Sequence, residues 1–216
     1  MIISNKYKFI WFFPIGATAS TSLFISLCEL YDDADCKVLP WWVEERPDLG
    51  PAHPGAGPSG APIVVHKHMT PSDLLDRGFD SKKFNEYCKI AVCRNPYTWI
   101  GSHLRKNNKI TTFSNSSIYS AFESVWLKDT NHYDGQAPLL KNIDKIIKFE
   151  ELPTQFENFK KRFSIKEDVK FRRITKHHEH TPINYINNYT HDGFKYVNER
   201  FVEDFELLGY EKLWTP

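Results

Sequence analysis

Short apolar runs and stretches of helical spacing take turns along this chain. Tyr7 to Phe13 (YKFIWFF) is the first apolar run and predicts a core strand, followed by a turn of small residues from Pro14 to Ala19. Leu23, Leu27 and Leu30 then recur at helical spacing, which predicts a helix over Ser20 to Leu30. Lys37 to Val43 (KVLPWWV) reads as a poorer strand, because Pro40 lacks the N–H that a ladder needs and favours an edge. Ile63 to His68 (IVVHKH) predicts another strand. Thr70 as cap, Pro71 at the first position and Asp73 in the first turn then start a short helix.

The apolar run Ile90 to Cys93 predicts a buried parallel strand that stops abruptly at Arg94. Asn95 as cap and Pro96 at the first helical position open the next helix, which carries Ser102. Further on, the pattern predicts a helix over Ser116 to Leu127 and a last core strand over Lys145 to Phe149. A helix over Glu151 to Phe163 carries Phe156, Phe159 and Phe163. The final helix runs from Thr190 to Leu208 through Phe194, Val197, Phe201, Phe205 and Leu208. Alternation of this kind defines an α/β fold. The expectation is a single domain, residues 1–216, whose central sheet is mostly parallel with helices on both faces.

One segment breaks the alternation. Arg46 to Pro62 is crowded with proline (Pro47, Pro51, Pro54, Pro58, Pro62) and glycine (Gly50, Gly55, Gly57, Gly60), so it predicts a long loop without regular structure. Composition narrows the function classes. Hydrophobic residues make up 41% of the 216 and aromatics 15%, enough for a substantial core. A formal net charge of +1 gives no reason to expect nucleic acid or an anionic membrane as partner. Cys28, Cys36, Cys88 and Cys93 show no CxxC spacing, which fits reduced thiols in a cytoplasmic setting. No apolar stretch approaches the ~20 residues that span a bilayer, so neither a membrane partner nor an anchor is expected.

Several groups of residues could carry chemistry. The turn FPIGATASTSL, Phe13 to Leu23, has the general form of a phosphate cradle: strand, small residues, then helix, with Ser20, Thr21 and Ser22 as extra donors. It lacks the Gly-Lys pair of a Walker loop, which disfavours a nucleoside-triphosphate machine. Arg94, a permanent cation at a strand end beside a helix start, with Ser102 further along that helix, suits a phosphate group. His66 and His68 share one face of the predicted strand, with Lys67 on the other, and an imidazole there could take a proton from a hydroxyl. No third ligand is identifiable beside them, so no metal is assigned. The basic, histidine-rich run Arg172-Arg173 and Lys176 to His180 could close over a charged ligand or be a solvated face.

The order of these pieces resembles the carbohydrate-type sulfotransferases. The resemblance rests on the hydroxyl-rich first loop, the HxH segment, RNPY from Arg94 to Tyr97 with Ser102 after it, KFEEL (Lys148 to Leu152) and the closing run from Tyr185 to Tyr210. It implies a P-loop-like sulfotransferase fold and a donor, 3′-phosphoadenosine 5′-phosphosulfate, leaving 3′,5′-adenosine bisphosphate as product. Arg94 and Ser102 would hold the 3′-phosphate. The turn of Thr18, Ala19, Ser20, Thr21 and Ser22 would hold the 5′-phosphosulfate, and His66 or His68 would be the base. The implied partner is the hydroxyl of a sugar or small metabolite, and oligomeric state is left open.

The first loop departs from the family pattern. Where relatives read PKTGSTSL or similar, this chain reads PIGATASTSL and has no lysine. Lys67, Lys176 or Arg173 could supply the cation instead, and Lys176 is included among the donor-binding candidates. The alternative implied by the missing lysine is a non-catalytic relative that binds adenosine bisphosphate or glycan.

Overall fold

A computed structural model of the chain describes residues 1–27, 55–56, 62–63, 68–108, 112–123, 134–165, 169–171 and 185–215. They form an α/β fold with a four-stranded, mostly parallel open sheet and helices. The chain packs as two compact units: residues 1–92, 140–147 and 151–174 form the first, and 93–139, 148–150 and 175–216 the second.

The sheet begins earlier than the periodicity predicts. Strand β1, Ile2–Ser4, is too short to show a period, yet it pairs antiparallel with β2, Phe9–Trp11, through Ile2↔Trp11, Ile3↔Ile10 and Ser4↔Phe9. Helix α1, Ser20–Leu27, follows β2. The Pro/Gly segment, expected to lack regular structure, contains a short antiparallel pair: β3, Gly55–Ala56, against β4, Pro62–Ile63. Of the strand expected over Ile63 to His68, Ile63 lies in β4, residues 64–67 lie outside the described residues, and His68 lies in a turn. The predicted strand at Lys37 to Val43 lies outside the described residues.

Helix α2, Pro71–Asp76, starts as predicted. Thr70 accepts from the N–H of Asp73, and the Asp73 carboxylate accepts from the N–H of Thr70 at 2.7 Å. Helix α3, Ser81–Glu86, has too few apolar positions to show in the pattern. Asp80 caps it, accepting from the N–H groups of Lys82 and Lys83. Strand β5, Cys88–Cys93, then pairs parallel with β2, and the sheet order is β1-β2-β5-β6.

Helix α4, Pro96–Asn108, is the RNPY helix, and α5, Asn115–Glu123, comes next. Strand β6 spans Lys145–Lys148, one residue short of the predicted strand, because Phe149–Glu151 turns into a 3-10 helix. Helix α6, Leu152–Arg162, completes the first unit's core. Phe159 meets the rings of Phe9 and Trp11 edge-on, at 5.1 and 4.6 Å, and Phe163 meets Phe9 at 5.4 Å. Contacts of this geometry add about 0.5–1.5 kcal/mol each beyond simple burial.

The predicted final helix is two helices. These are α7, His191–Arg200, and α8, Val202–Leu208, separated by Phe201 at φ −112° and ψ 36°. The break is one residue long, so the apolar spacing runs through it undisturbed. The Phe201 ring stays buried, edge-on to Trp99 at 5.9 Å. In this second unit Tyr97 of α4 packs against Tyr189, Phe194 and Phe205. The Tyr97 hydroxyl donates to Asn198 and accepts from the N–H of Leu213 at 2.7 Å. Burial pushes its pKa up to about 12. Among the described residues no helix is long and apolar enough to cross a membrane.

Candidate functional site

In the first unit, β2 leads into the hydroxyl-rich turn. Ala17 and Ala19 both lie in the left-handed region, each at φ 59°. Left-handed residues in a turn ahead of a helix are the backbone material of anion-binding nests, in which successive N–H groups converge. Thr18, between them, is buried, and its hydroxyl donates to the Ile15 carbonyl at 2.7 Å, tying the turn together. Ser20 begins α1 and is buried, Ser22 is buried one position beyond Thr21, and Ala19 and Thr21 are half-buried. The Ser22 carbonyl accepts from the hydroxyl of Ser26 at 2.7 Å. Thr18 and Ser22 thus lie deeper in the turn than the hydroxyl pattern alone suggests.

His68 belongs to the same unit and is exposed. Its Nδ1 lies 3.0 Å from the carbonyl oxygen of Phe13, the residue that opens the turn. A carbonyl can only accept, so Nδ1 carries the proton in this bond. His66, Lys67, Arg173 and Lys176 lie outside the described residues, as do His177 to His180.

In the second unit, Arg94 leaves the end of β5. It is 7% exposed, and burial pulls its pKa down from the ordinary arginine value. Its Nε donates to the Thr98 hydroxyl at 3.1 Å, and the guanidinium carbon lies 4.4 Å from the centroid of the Phe149 ring and 5.7 Å from that of Tyr185. Asn95 caps α4 as predicted, its carboxamide oxygen accepting from the N–H of Tyr97 at 3.0 Å and its carbonyl from the N–H of Trp99 at 2.8 Å. Thr98, which accepts from Arg94 Nε, and the half-buried Ser102 are one turn apart on the same face of this helix.

Two partners of Arg94 escape a sequence reading because they are distant along the chain. Gln136 Oε1 accepts from the N–H of Arg94 at 2.9 Å, while its Nε2 donates to the Arg94 carbonyl at 2.7 Å. Asp204 in α8 accepts from the N–H groups of Gln136, at 2.8 Å, and Ala137, at 2.7 Å. Burial pushes the Asp204 pKa up to about 6 against the pull of those hydrogen bonds. Gly135, at φ 96°, precedes Gln136 because a Cβ there would come within 2.8 Å of Asp204 Oδ1. Asp204 lies within the closing run, Tyr185 to Tyr210, on which the resemblance rests. Nothing in the sequence pointed to Gln136.

Around Arg94, Glu150 accepts from the N–H of Asn95 at 2.9 Å and from the Tyr210 hydroxyl at 2.8 Å. Tyr210 Oη is 3.6 Å from Cys93 Sγ, and burial pushes the Cys93 thiol up to about 11. Cys93 is therefore a neutral packing residue and no nucleophile at neutral pH. Lys148 donates to the Gly209 carbonyl at 2.9 Å and sits over the Tyr210 ring. KFEEL and the closing LGY are therefore joined by direct contacts. Among the described residues no group of His, Cys, Asp and Glu is placed to hold a metal ion.

Comparison with known proteins adds no relative: no family model, no curated protein and no solved structure matches this chain.

Proposed function

We propose that this chain is a sulfotransferase that takes its sulfuryl group from 3′-phosphoadenosine 5′-phosphosulfate and passes it to an acceptor hydroxyl of a sugar or small metabolite. The observation that carries the reading is Arg94. Its buried guanidinium lies over Phe149 at the amino end of α4, tethered to Thr98 on the face that bears Ser102. A guanidinium held this way, with a helix start beside it, is suited to a phosphate group.

Arg94 and Ser102 would hold the 3′-phosphate. The turn through Thr18, Ala19, Ser20, Thr21 and Ser22 would receive the 5′ end of the donor on converging N–H groups. His68, anchored through Nδ1 at the Phe13 carbonyl, would take the acceptor's proton. Bound there, the donor supplies a sulfuryl group whose bridging S–O bond breaks as the bond to the acceptor oxygen forms. Positioning and charge stabilisation do the remaining work. The P-loop-like sulfotransferase fold belongs to this proposal, supported by the parallel neighbours β2 and β5, each of which runs into a turn and a helix.

One feature favours a second reading. The first loop has no lysine to offset charge on the leaving oxygen, so a binder of adenosine bisphosphate without turnover would keep every other feature. Incubation with donor labelled in the sulfuryl group and a panel of sugars and phenols separates the two. Label moved to an acceptor supports the enzyme, and binding without transfer supports the binder.

A further inference from the structure

We propose that Gln136 is a positioning residue for Arg94, fixing the guanidinium that distinguishes nucleotides with a 3′-phosphate from those without one. This rests on reading Arg94 as the 3′-phosphate clamp.

Strand β5 ends at Cys93, so Arg94 is the first residue past the strand. Gln136 supplies what a neighbouring strand would have supplied. A carboxamide presents one acceptor and one donor, as a peptide group does, and here it engages the N–H and the carbonyl of the same residue. With both main-chain groups held, the backbone angles of Arg94 are set, and with them the direction in which its side chain leaves the chain. The far end is fixed separately, by Thr98 and the Phe149 ring.

Asp204 keeps the carboxamide from turning over. Its Oδ2 is 3.4 Å from Gln136 Nε2, so the nitrogen faces the carboxylate and the Arg94 carbonyl while the oxygen faces the Arg94 N–H. Gln136 is 0% and Asp204 1% exposed. Two polar side chains this deeply buried are costly to the fold unless every group is matched, and a matched network permits a single arrangement. A hydrophobic residue at position 136 would fill the space but would leave the Arg94 backbone to find its own conformation. Displacing a recognition group by about 1 Å is enough to cost on the order of a hundredfold.

The test compares two ligands on the full chain by calorimetry: 3′,5′-adenosine bisphosphate and 5′-AMP, which lacks the 3′-phosphate. Wild type should prefer the bisphosphate by at least about tenfold, of the size expected for a charged hydrogen bond. Gln136→Met, of similar length and shape, should bring the ratio close to one while 5′-AMP binding changes by less than about twofold. Gln136→Leu, which offers neither the acceptor nor the donor, should do the same. Partial unfolding lowers both affinities alike and leaves the ratio untouched, so the ratio reports position rather than stability. A wild type that discriminates beside variants that discriminate equally well overturns the role of Gln136. Equal loss of both affinities in the variants also overturns it, as that marks a purely structural residue. A wild type that does not discriminate overturns the Arg94 assignment itself.

Discussion

His68 and Phe13, 55 residues apart in the chain, are joined by a hydrogen bond of 3.0 Å between the imidazole Nδ1 and the main-chain carbonyl. The bond places a proton on Nδ1 and anchors the ring beside Phe13, where the turn opens. With His68 as the proposed base, removing the ring should remove proton abstraction and little else. His68→Ala is expected to lower turnover by about 10²–10⁴-fold, the usual contribution of a general base. Binding of 3′,5′-adenosine bisphosphate should be unchanged. Initial rates at saturating donor check this, and undiminished turnover in His68→Ala would rule the residue out as base.

Asp204 should make the second unit more stable in mild acid. Its folded pKa of about 6 lies above the ordinary aspartate value of 3.8. Between those values the folded chain binds a proton that the unfolded chain has released, so its contribution to stability is full below about pH 4 and is lost as pH rises through 6. The neighbouring Glu203 adds to the upward shift. Relative to Asp204→Asn, which does not titrate, wild type should gain roughly 1 kcal/mol between pH 7 and pH 5. Parallel urea titrations at the two pH values measure the difference. A constant gap between the two proteins would show that Asp204 is not protonated in this range.

Gly193, in the first turn of α7, is held against the chain around Phe113. A Cβ built there falls 2.0 Å from the Phe113 carbonyl oxygen, which also accepts from the N–H of Thr190 at 3.2 Å. The obstacle is backbone and cannot swing away. Gly193→Ala should destabilise the protein by about 1–3 kcal/mol, lowering Tm by roughly 3–10 °C. Thermal melts by circular dichroism read this directly, and an unchanged Tm would mean that α7 can shift away from α5 without loss.

Much of this architecture is legible in the sequence wherever a local rule acts alone. Thr70-Pro71 and Asn95-Pro96 start helices because cap and ring geometry are set within a few residues. The Ile90 to Cys93 part of β5 follows from its apolar run, and Phe156 and Phe159 of α6 from helical spacing. Local rules fall short where the deciding partner is remote. β1 needs β2 to exist, and β3 with β4 form a two-residue pair inside a segment whose prolines and glycines argue against one. Phe201 ends α7 without disturbing the apolar period, so no pattern records the break. In the candidate site, Arg94 and Ser102 announce themselves by position, as does His68. Gln136 does not, because its value lies in one carboxamide meeting the main chain of a residue 42 positions away. His68 itself lies in a turn, and the hydrogen bond to the Phe13 carbonyl holds the ring there, a contact that period-2 spacing does not record.

That Arg94 clamps a phosphate is tested most directly by thermal melts of the full chain in the presence of 3′,5′-adenosine bisphosphate. At about a hundred times the dissociation constant the ligand should stabilise the fold by about 2.7 kcal/mol, raising Tm by roughly 5–10 °C. The rise should vanish in Arg94→Ala, provided circular dichroism shows that variant folded. An unshifted Tm in wild type at millimolar ligand would contradict the assignment of Arg94 and the sulfotransferase reading with it.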